Sequence, residues 1–375
     1  MTLKLGVYVH WPYCARICPY CDFNVYKNRA IDAERWNAAL TRDLAGWAVR
    51  APKRKLTSLY FGGGTPSLAP IDVIERVIEA CDSLWGFEDG AEITIEANPT
   101  DAERSLFRAF AEAGVNRLSI GVQSFDDAAL KFLGRDHDGA SARRAVEAAL
   151  SAVERTSFDL IYALPAQTRP AWRAALNEAL RIGAPHLSLY QLTIESGTAF
   201  ERAVARGVWS PPSEDIGADL YDIAQEETSR AGLPAYEISN HAGPGGESRH
   251  NLLYWTHQDY IGVGPGAHGR LTEAGRRVAT ETPLAPEAYL AAVENSGCGA
   301  SLIETLTPEA TLIERLSMGL RLTGGVALPG EDLDRLSAHI GKLEKDGLLA
   351  LEGERLRATS GGRRILNAVL AQLLA

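Results

Sequence analysis

Along the first 200 or so residues, short apolar runs alternate with longer stretches in which apolar and polar side chains recur at helical spacing. That alternation is the pattern of repeated β-α units around a parallel sheet. Six strands are predicted, at 3–9, 56–61, 91–96, 117–121, 157–162 and 186–192, with helices between them. Local signals agree. Thr100 with Glu103 three residues later reads as a capping box, and Pro170 sits where the first turn of a helix tolerates proline. A further long helix is predicted over 213–231.

Beyond that helix the rhythm is lost. Residues 241–269 are rich in glycine and aromatic side chains and predict irregular structure with a few short strands. From about residue 301 the pattern becomes one of short helices and a β-hairpin around 349–357, where Glu352 and Gly353 supply turn chemistry. This arrangement resembles a winged-helix domain. The expected fold class is therefore α/β: six β-α units around a parallel sheet over 1–235, a connecting region over 236–300 and a smaller winged-helix-like domain over 301–375. The last apolar stripe, Ile365, Leu366, Val369, Leu370, Leu373 and Leu374, has helical spacing. Docking on its own core is the ordinary reading, and a peripheral membrane or partner contact is the alternative.

The chain has 375 residues, 46% of them hydrophobic, enough for one large catalytic domain and a smaller one. It carries 38 basic and 48 acidic side chains, a formal net charge of −10, so there is no broad electrostatic footprint for nucleic acid or an anionic membrane. Charges in the C-terminal region are close to balanced, which argues against a DNA-reading role for the winged helix. The opening MTLKLGVYVHW alternates like a strand, and no run of about 18 apolar residues occurs. A cytoplasmic protein is expected. Of five cysteines, Cys14, Cys18 and Cys21 are crowded together while Cys81 and Cys298 stand apart, which suits a metal site in a reducing compartment better than a disulfide framework.

Three thiols spaced CxxxCxxC just after the first strand can converge on one metal centre, in a short loop stiffened by Pro12 and Pro19. Zinc normally takes four protein ligands and would have to recruit His10 or a distant residue, whereas a four-iron cluster on three thiolates leaves one iron open. An open iron can chelate the amino and carboxylate groups of a methionine moiety and place its sulfonium beside a reductant. Other polar residues fall at successive strand ends, where a β-α barrel gathers its reactive groups. Tyr8 belongs to the first strand; Gly62, Gly63, Gly64, Thr65 and Pro66 follow the second. Glu96 closes the third, Gln123 follows the fourth, Asp159 lies on the fifth, and Tyr190 and Gln191 lie on the sixth. Singly, the glycines relieve backbone strain and Glu96, Gln123 and Asp159 read as caps or strand-end polar residues. Their common location favours a site for an amino acid's ammonium and carboxylate. Arg135, in GRDHD, is a surface charge or a planar fork for that carboxylate.

The segments VHWPYCARICPYCDF, YFGGGTPS, IEANP, GVQSF, LGRDHD and DLIYALP together resemble the radical S-adenosylmethionine superfamily. Within it they resemble the oxygen-independent coproporphyrinogen III oxidases and their relatives, the haem chaperones of the HemW type. The resemblance covers essentially the whole chain and implies that the β-α units form a partial (β/α)6 barrel followed by a smaller C-terminal domain. It implies a 4Fe-4S cluster on Cys14, Cys18 and Cys21, and S-adenosylmethionine contacts from Tyr8, Gly63, Gly64, Thr65, Glu96, Gln123, Arg135 and Asp159. The oxidases usually carry a fourth cysteine two residues after the third and a longer segment ahead of the first strand. Here Phe23 occupies that cysteine's place, and the first strand begins within a few residues of Met1.

The segment His250-Asn251-Leu252-Leu253-Tyr254-Trp255 matches the HNxxYW motif of the chaperone branch. By composition alone a loop histidine beside asparagine is a turn hydrogen-bonder. The motif instead implies that His250 ligates haem iron beside aromatic rings that cover a flat macrocycle, with His268 and His241 as secondary candidates. The resemblance thus implies a haem chaperone with a 4Fe-4S cluster, S-adenosylmethionine and haem as cofactors. Haem-acceptor proteins, such as those of the respiratory chain, and an electron donor would be its partners. Radical decarboxylation of coproporphyrinogen III is the alternative.

Overall fold

A computed structural model describes residues 3–27, 30–52, 54–101 and 104–375. Seven parallel strands form the centre of one sheet. Six are those the sequence predicts: β1 (Leu5–Trp11), β2 (Leu56–Gly63), β3 (Phe87–Ala97), β4 (Arg117–Gln123), β5 (Arg155–Tyr162) and β6 (His186–Gln191). Each pairs in parallel with the next. Helices α1 (Ala33–Arg50), α2 (Ile71–Leu84), α3 (Arg104–Glu112), α4 (Asp127–Phe132), α5 (Gly139–Ala152) and α6 (Arg169–Ile182) fill the crossovers. The long helix beyond them, α7 (Glu214–Arg230), is capped by the Ser213 side chain at the Ile216 amide. Of the expected capping box, Glu103 lies outside the described residues, while Pro170 does stand in the first turn of α6.

The region expected to be irregular belongs to this sheet. After β7 (Asn240–Ala242), which runs antiparallel along β6, comes β8 (Asp259–Val263). It pairs in parallel with the free edge of β1, Val7 opposite Ile261 and Tyr8 opposite Gly262. Antiparallel strands β9 (His268–Glu273), β10 (Arg276–Glu281) and β11 (Leu302–Thr305) extend that edge. The five residues of β8 carry no periodic signal; they become a strand because β1 offers them an unpaired edge, and an unpaired backbone edge is costly to bury.

Residues 308–373 build a second, separate core. Leu312 and Leu316 of one helix and Leu336, Ile340 and Leu343 of another pack against Leu349 and Leu356 of a hairpin, Leu349–Glu352 with Arg355–Ala358. Gly353 turns that hairpin at φ +63°. From the closing stripe, Leu366, Val369 and Leu373 are buried in this core while Ile365 is exposed. No helix among the described residues is long and apolar enough to cross a membrane.

The strands of the large sheet alternate, but both faces are covered. Outward-facing Leu5, Val7, Val9 and Trp11 join Trp36, Leu40, Leu44 and Trp47 of α1 in the main core, with Trp11 and Trp36 5.2 Å apart. The intervening positions are polar or small: Gly6, Tyr8 and His10 on β1, Ser58 and Tyr60 on β2, Glu92, Thr94 and Glu96 on β3, Arg117 and Ser119 on β4. One end of this polar interior is plugged by helix α8 (Arg249–Trp255). Gly6 makes the room, since a Cβ there would stand 2.4 Å from Leu253. The buried carboxylate of Glu92 holds the plug: it accepts from the Ser248 hydroxyl at 3.2 Å and the His250 amide at 3.1 Å, so a negative charge meets the start of the helix. Arg155 reaches the same carboxylate at 2.9 Å and Arg117 stands 3.9 Å away. Burial disfavours the charge on Glu92, but the two guanidinium groups and the helix amides outweigh it and hold its pKa below the ordinary value.

Glu92→Gln should therefore destabilise the fold by ~3–5 kcal/mol, the usual cost of stranding a buried cation, here Arg117. Chemical denaturation of the two proteins measures it. An unchanged midpoint would show that the plug does not depend on this carboxylate.

Candidate cluster and ligand cavity

The other end of the polar interior opens into a cavity of about 200 Å³. Cys14, Cys18 and Cys21 line it together with Gly63, Gly64, Thr65, Glu96, Gln123, Arg135 and Asp159. The structure thus brings together the residues the resemblance implies for cluster and ligand except Tyr8 and His250, while of the other strand-end candidates Tyr190 lines the cavity and Gly62, Pro66 and Gln191 do not. Most arrive by strand ends and Arg135 by the loop after α4, so residues over a hundred positions apart meet without long excursions.

The cysteine loop is held to the sheet by backbone bonds: the Gly64 amide donates to the Trp11 carbonyl at 2.7 Å and the Thr65 amide to the Tyr13 carbonyl at 2.9 Å. Gly63 has φ +107°, and a Cβ there would stand 2.7 Å from the His10 ring. That close approach explains the glycine turn after β2 better than loop flexibility does. The Thr65 hydroxyl points at Cys14 Sγ (3.5 Å) and Arg135 Nη1 at Cys18 Sγ (3.2 Å). Burial pushes the Cys14 thiol up and the Cys21 thiol to about 11, so a bound cation must draw the protons off. Among the described residues no set of three His, Cys, Asp or Glu side chains closes on a single metal ion. Three thiols spread around one cavity wall without a fourth ligand fit a polynuclear centre, which takes each thiolate on a different iron.

Next to the thiols the cavity presents opposite charges. Glu96 accepts from the Tyr60 hydroxyl at 2.7 Å and from the Gly63 amide at 3.2 Å. Burial raises its pKa to about 7, with Asp159 adding to the rise, and burial raises Asp159 to about 6. Among the described residues neither carboxylate is in an ion pair; Ser188, Arg117 and Arg135 only partly offset the burial of Asp159. Arg135 bonds the Gly121 carbonyl (3.1 Å) and Asn98, and its Nε is buried with no partner. Two under-compensated carboxylates and an unused guanidinium donor suit a ligand bearing both an ammonium and a carboxylate. Gln123 lies here with φ +65°, unusual for a side-chain-bearing residue and common where backbone strain serves a site. Asn98, which donates to Thr65 Oγ1 at 2.9 Å, was not singled out from sequence. Its position just before Pro99 at the end of β3 was the available signal.

Tyr8 lines a second, larger cavity of about 520 Å³, which shares Phe23, Gly63 and Glu96 with the first. Tyr254, Trp255, Tyr260, His268 and Met318 also line it. His250 does not. It is 1% exposed, its Nδ1 is 2.8 Å from Ser58 Oγ, its Nε2 is 2.6 Å from the Tyr254 hydroxyl, and its ring stacks on Tyr60 at 4.9 Å. The expectation that this imidazole faces a macrocycle is not met as the side chains stand, because it lies one phenol behind the cavity wall. Burial lowers its pKa to about 3, so the ring is neutral. His268 is half-exposed on the wall, and His241 is buried against Gln225.

A pH dependence follows. Glu96 has its pKa raised from 4.5 to about 7, so the folded state holds a proton that the unfolded chain releases first. The resulting stability is complete below about pH 4.5 and is lost as pH rises through 7. In ligand-free protein, Glu96→Gln should remove this loss and raise stability at pH 8 by on the order of 2 kcal/mol. Melting curves at pH 5 and pH 8 test it; equal pH dependence in both proteins would contradict it.

Comparison with known proteins agrees with this geometry. Residues 8–179 match the Radical SAM superfamily and residues 306–365 the HemN C-terminal domain. The mitochondrial radical S-adenosyl methionine domain-containing protein 1 of Danio rerio is 37% identical over 388 residues, covering 100% of this chain and 87% of that protein. The heme chaperone HemW of Bacillus subtilis is 33% identical over 378 residues, covering 98% of this chain and 99% of its own. Among solved structures, coproporphyrinogen III oxidase (HemN) from Escherichia coli superposes with a TM-score of 0.82 at 21% identity, over 99% of this chain and 90% of that one, a likeness of fold. The chain belongs to the radical SAM superfamily, whose members imply S-adenosylmethionine and a 4Fe-4S cluster, and within it to the HemW-type family.

Proposed function

We propose that the protein is a haem chaperone, which binds haem in the larger cavity and passes it to acceptor proteins. The observation that carries this reading is the shared wall. A thiol-lined pocket suited to a cluster and an amino-acid ligand adjoins an aromatic cavity lined by two residues of HNLLYW, Tyr254 and Trp255. Relatives from Bacillus subtilis and Synechocystis are named heme chaperone HemW, and the haem function is carried over from them to this chain.

Under this reading Cys14, Cys18 and Cys21 hold the cluster. Glu96 and Asp159 face the ammonium of S-adenosylmethionine, Arg135 its carboxylate through the free Nε, and Gly63, Gly64, Thr65 and Gln123 shape its berth. When bound, the cluster and S-adenosylmethionine supply one-electron chemistry. Tyr8 lines the larger cavity, its hydroxyl 3.1 Å from His10 Nδ1. His250 is the haem ligand. Its ring is neutral, Ser58 fixes Nδ1, and only the Tyr254 hydroxyl occupies Nε2. Releasing that hydrogen bond costs about 1 kcal/mol, small beside an iron–imidazole bond. The aromatic walls supply apolar contact for the macrocycle.

The purified, anaerobically reconstituted protein should bind haem and leave coproporphyrinogen III unconverted. His250→Ala should change the haem absorption spectrum and weaken binding about tenfold or more, whereas Tyr254→Phe, which only frees Nε2, should bind at least as tightly as the wild type. A spectral change with His268→Ala but not His250→Ala would move the ligand to the exposed imidazole. Sustained decarboxylation of coproporphyrinogen III would make the protein an oxidase.

A further inference from the structure

The cysteine loop also faces a second recess on its outer side. There, Ile17, Cys18 and Cys21 form one wall of a shallow groove of about 640 Å³, whose opposite wall comes from α4 and the segment around 198–209. Its floor is an aromatic triad: Phe132 and Phe200 stack at 4.8 Å, and Trp209 meets them edge-on at 5.1 and 4.9 Å. The Phe200 amide donates to the Pro19 carbonyl at 3.0 Å, so the loop is tied to this floor. Ile17 (42%) and Val208 (68%) leave large apolar surface in water at its edge.

Its charges are one-sided. Arg16, Lys131 and Arg202 line the groove and no carboxylate does, on a chain with ten more acidic than basic side chains. Among the described residues none of these three cations is in an ion pair, although arginines elsewhere are extensively paired, Arg35 and Arg173 with two glutamates each. A cluster of unpaired cations around exposed apolar and aromatic surface fits an acidic protein partner, steered by the field and held by the apolar centre. Arg16, Ile17, Cys18 and Cys21 line both this groove and the internal cavity, while Lys131 and Arg202 line the groove alone, so only the thickness of the loop separates a docked protein from whatever the thiols hold.

We propose that this groove is the docking surface for an acidic one-electron donor protein, which delivers its electron to the cluster across the Cys18–Cys21 segment. No bond forms or breaks in this step: the donor's cofactor is oxidised by one electron and the cluster is reduced by one. The proposal rests on the assignment of the cluster to Cys14, Cys18 and Cys21.

The test uses the full-length, reconstituted protein and a reduced flavodoxin of net negative charge as probe. Lys131→Glu and Arg202→Glu combined should slow bleaching of the cluster by flavodoxin about tenfold or more at low salt. Added NaCl should slow the wild type and barely affect the variant. Flavodoxin binding, read by titration without electron transfer, should weaken in parallel. Reduction by photoreduced deazaflavin, a small donor that needs no docking surface, should be unchanged, as should iron content. Lys131→Arg with Arg202→Lys should retain the wild-type rate. Equal flavodoxin rates in wild type and charge-reversed protein, with iron present in both, would overturn the docking proposal alone. A wild type without iron and sulfide would overturn the cysteine assignment beneath it.

Discussion

Two carboxylates on the same face of one strand, Glu92 and Glu96, set the electrostatics on which the molecule depends. They share a barrel interior too dry to leave charge uncompensated, and they are treated in opposite ways. Glu92 receives two arginines and the start of a helix, which keep it ionised and close one end of the barrel. Glu96 receives a phenol and one backbone amide, and its pKa rises to about 7. The closed end is satisfied within the chain; the open end is not, and what it lacks is positive charge. A ligand carrying an ammonium would supply that charge beside the thiols. Fold and site are therefore two solutions to one problem, burying polar groups on the inner face of a curled parallel sheet.

The same constraint accounts for the plug. Parallel strands with polar inner positions need something polar to close the barrel, and the HNLLYW helix provides it by lodging His250 between Ser58, Tyr60 and Tyr254. One face of that helix satisfies the buried end while the other presents Tyr254 and Trp255 to the larger cavity. The imidazole is consequently coupled to the cavity through one phenolic hydroxyl, and stability and ligand chemistry meet in a single hydrogen bond.

Much of this was legible before any coordinates. The six central strands announce themselves through local apolar runs, and the cysteine spacing and strand-end residues can be named because each lies at a fixed place relative to its own strand. Less legible was whatever depends on a distant partner. Asp259–Val263 reads as an apolar fragment among glycines, and only the free edge of β1 makes it a strand. Asn98 passed unnoticed because its importance lies in holding Thr65 and Arg135 from another loop. For His250 the sequence offers a haem ligand only through the resemblance of HNLLYW to the HNxxYW motif, which says nothing of the partners that surround the ring. In three dimensions its stacking partner is Tyr60, 190 positions away, and its orienting group is Ser58.

The central claim, that the thiols at the open end hold a cluster while the carboxylates beside them take the ammonium of S-adenosylmethionine, is tested most directly by electron paramagnetic resonance of the reduced, reconstituted protein. Adding S-adenosylmethionine should shift the cluster signal in the wild type, and the shift should be lost in Glu96→Gln, where the cluster signal itself remains. A wild-type signal indifferent to S-adenosylmethionine, or an undiminished shift in Glu96→Gln, would contradict the account.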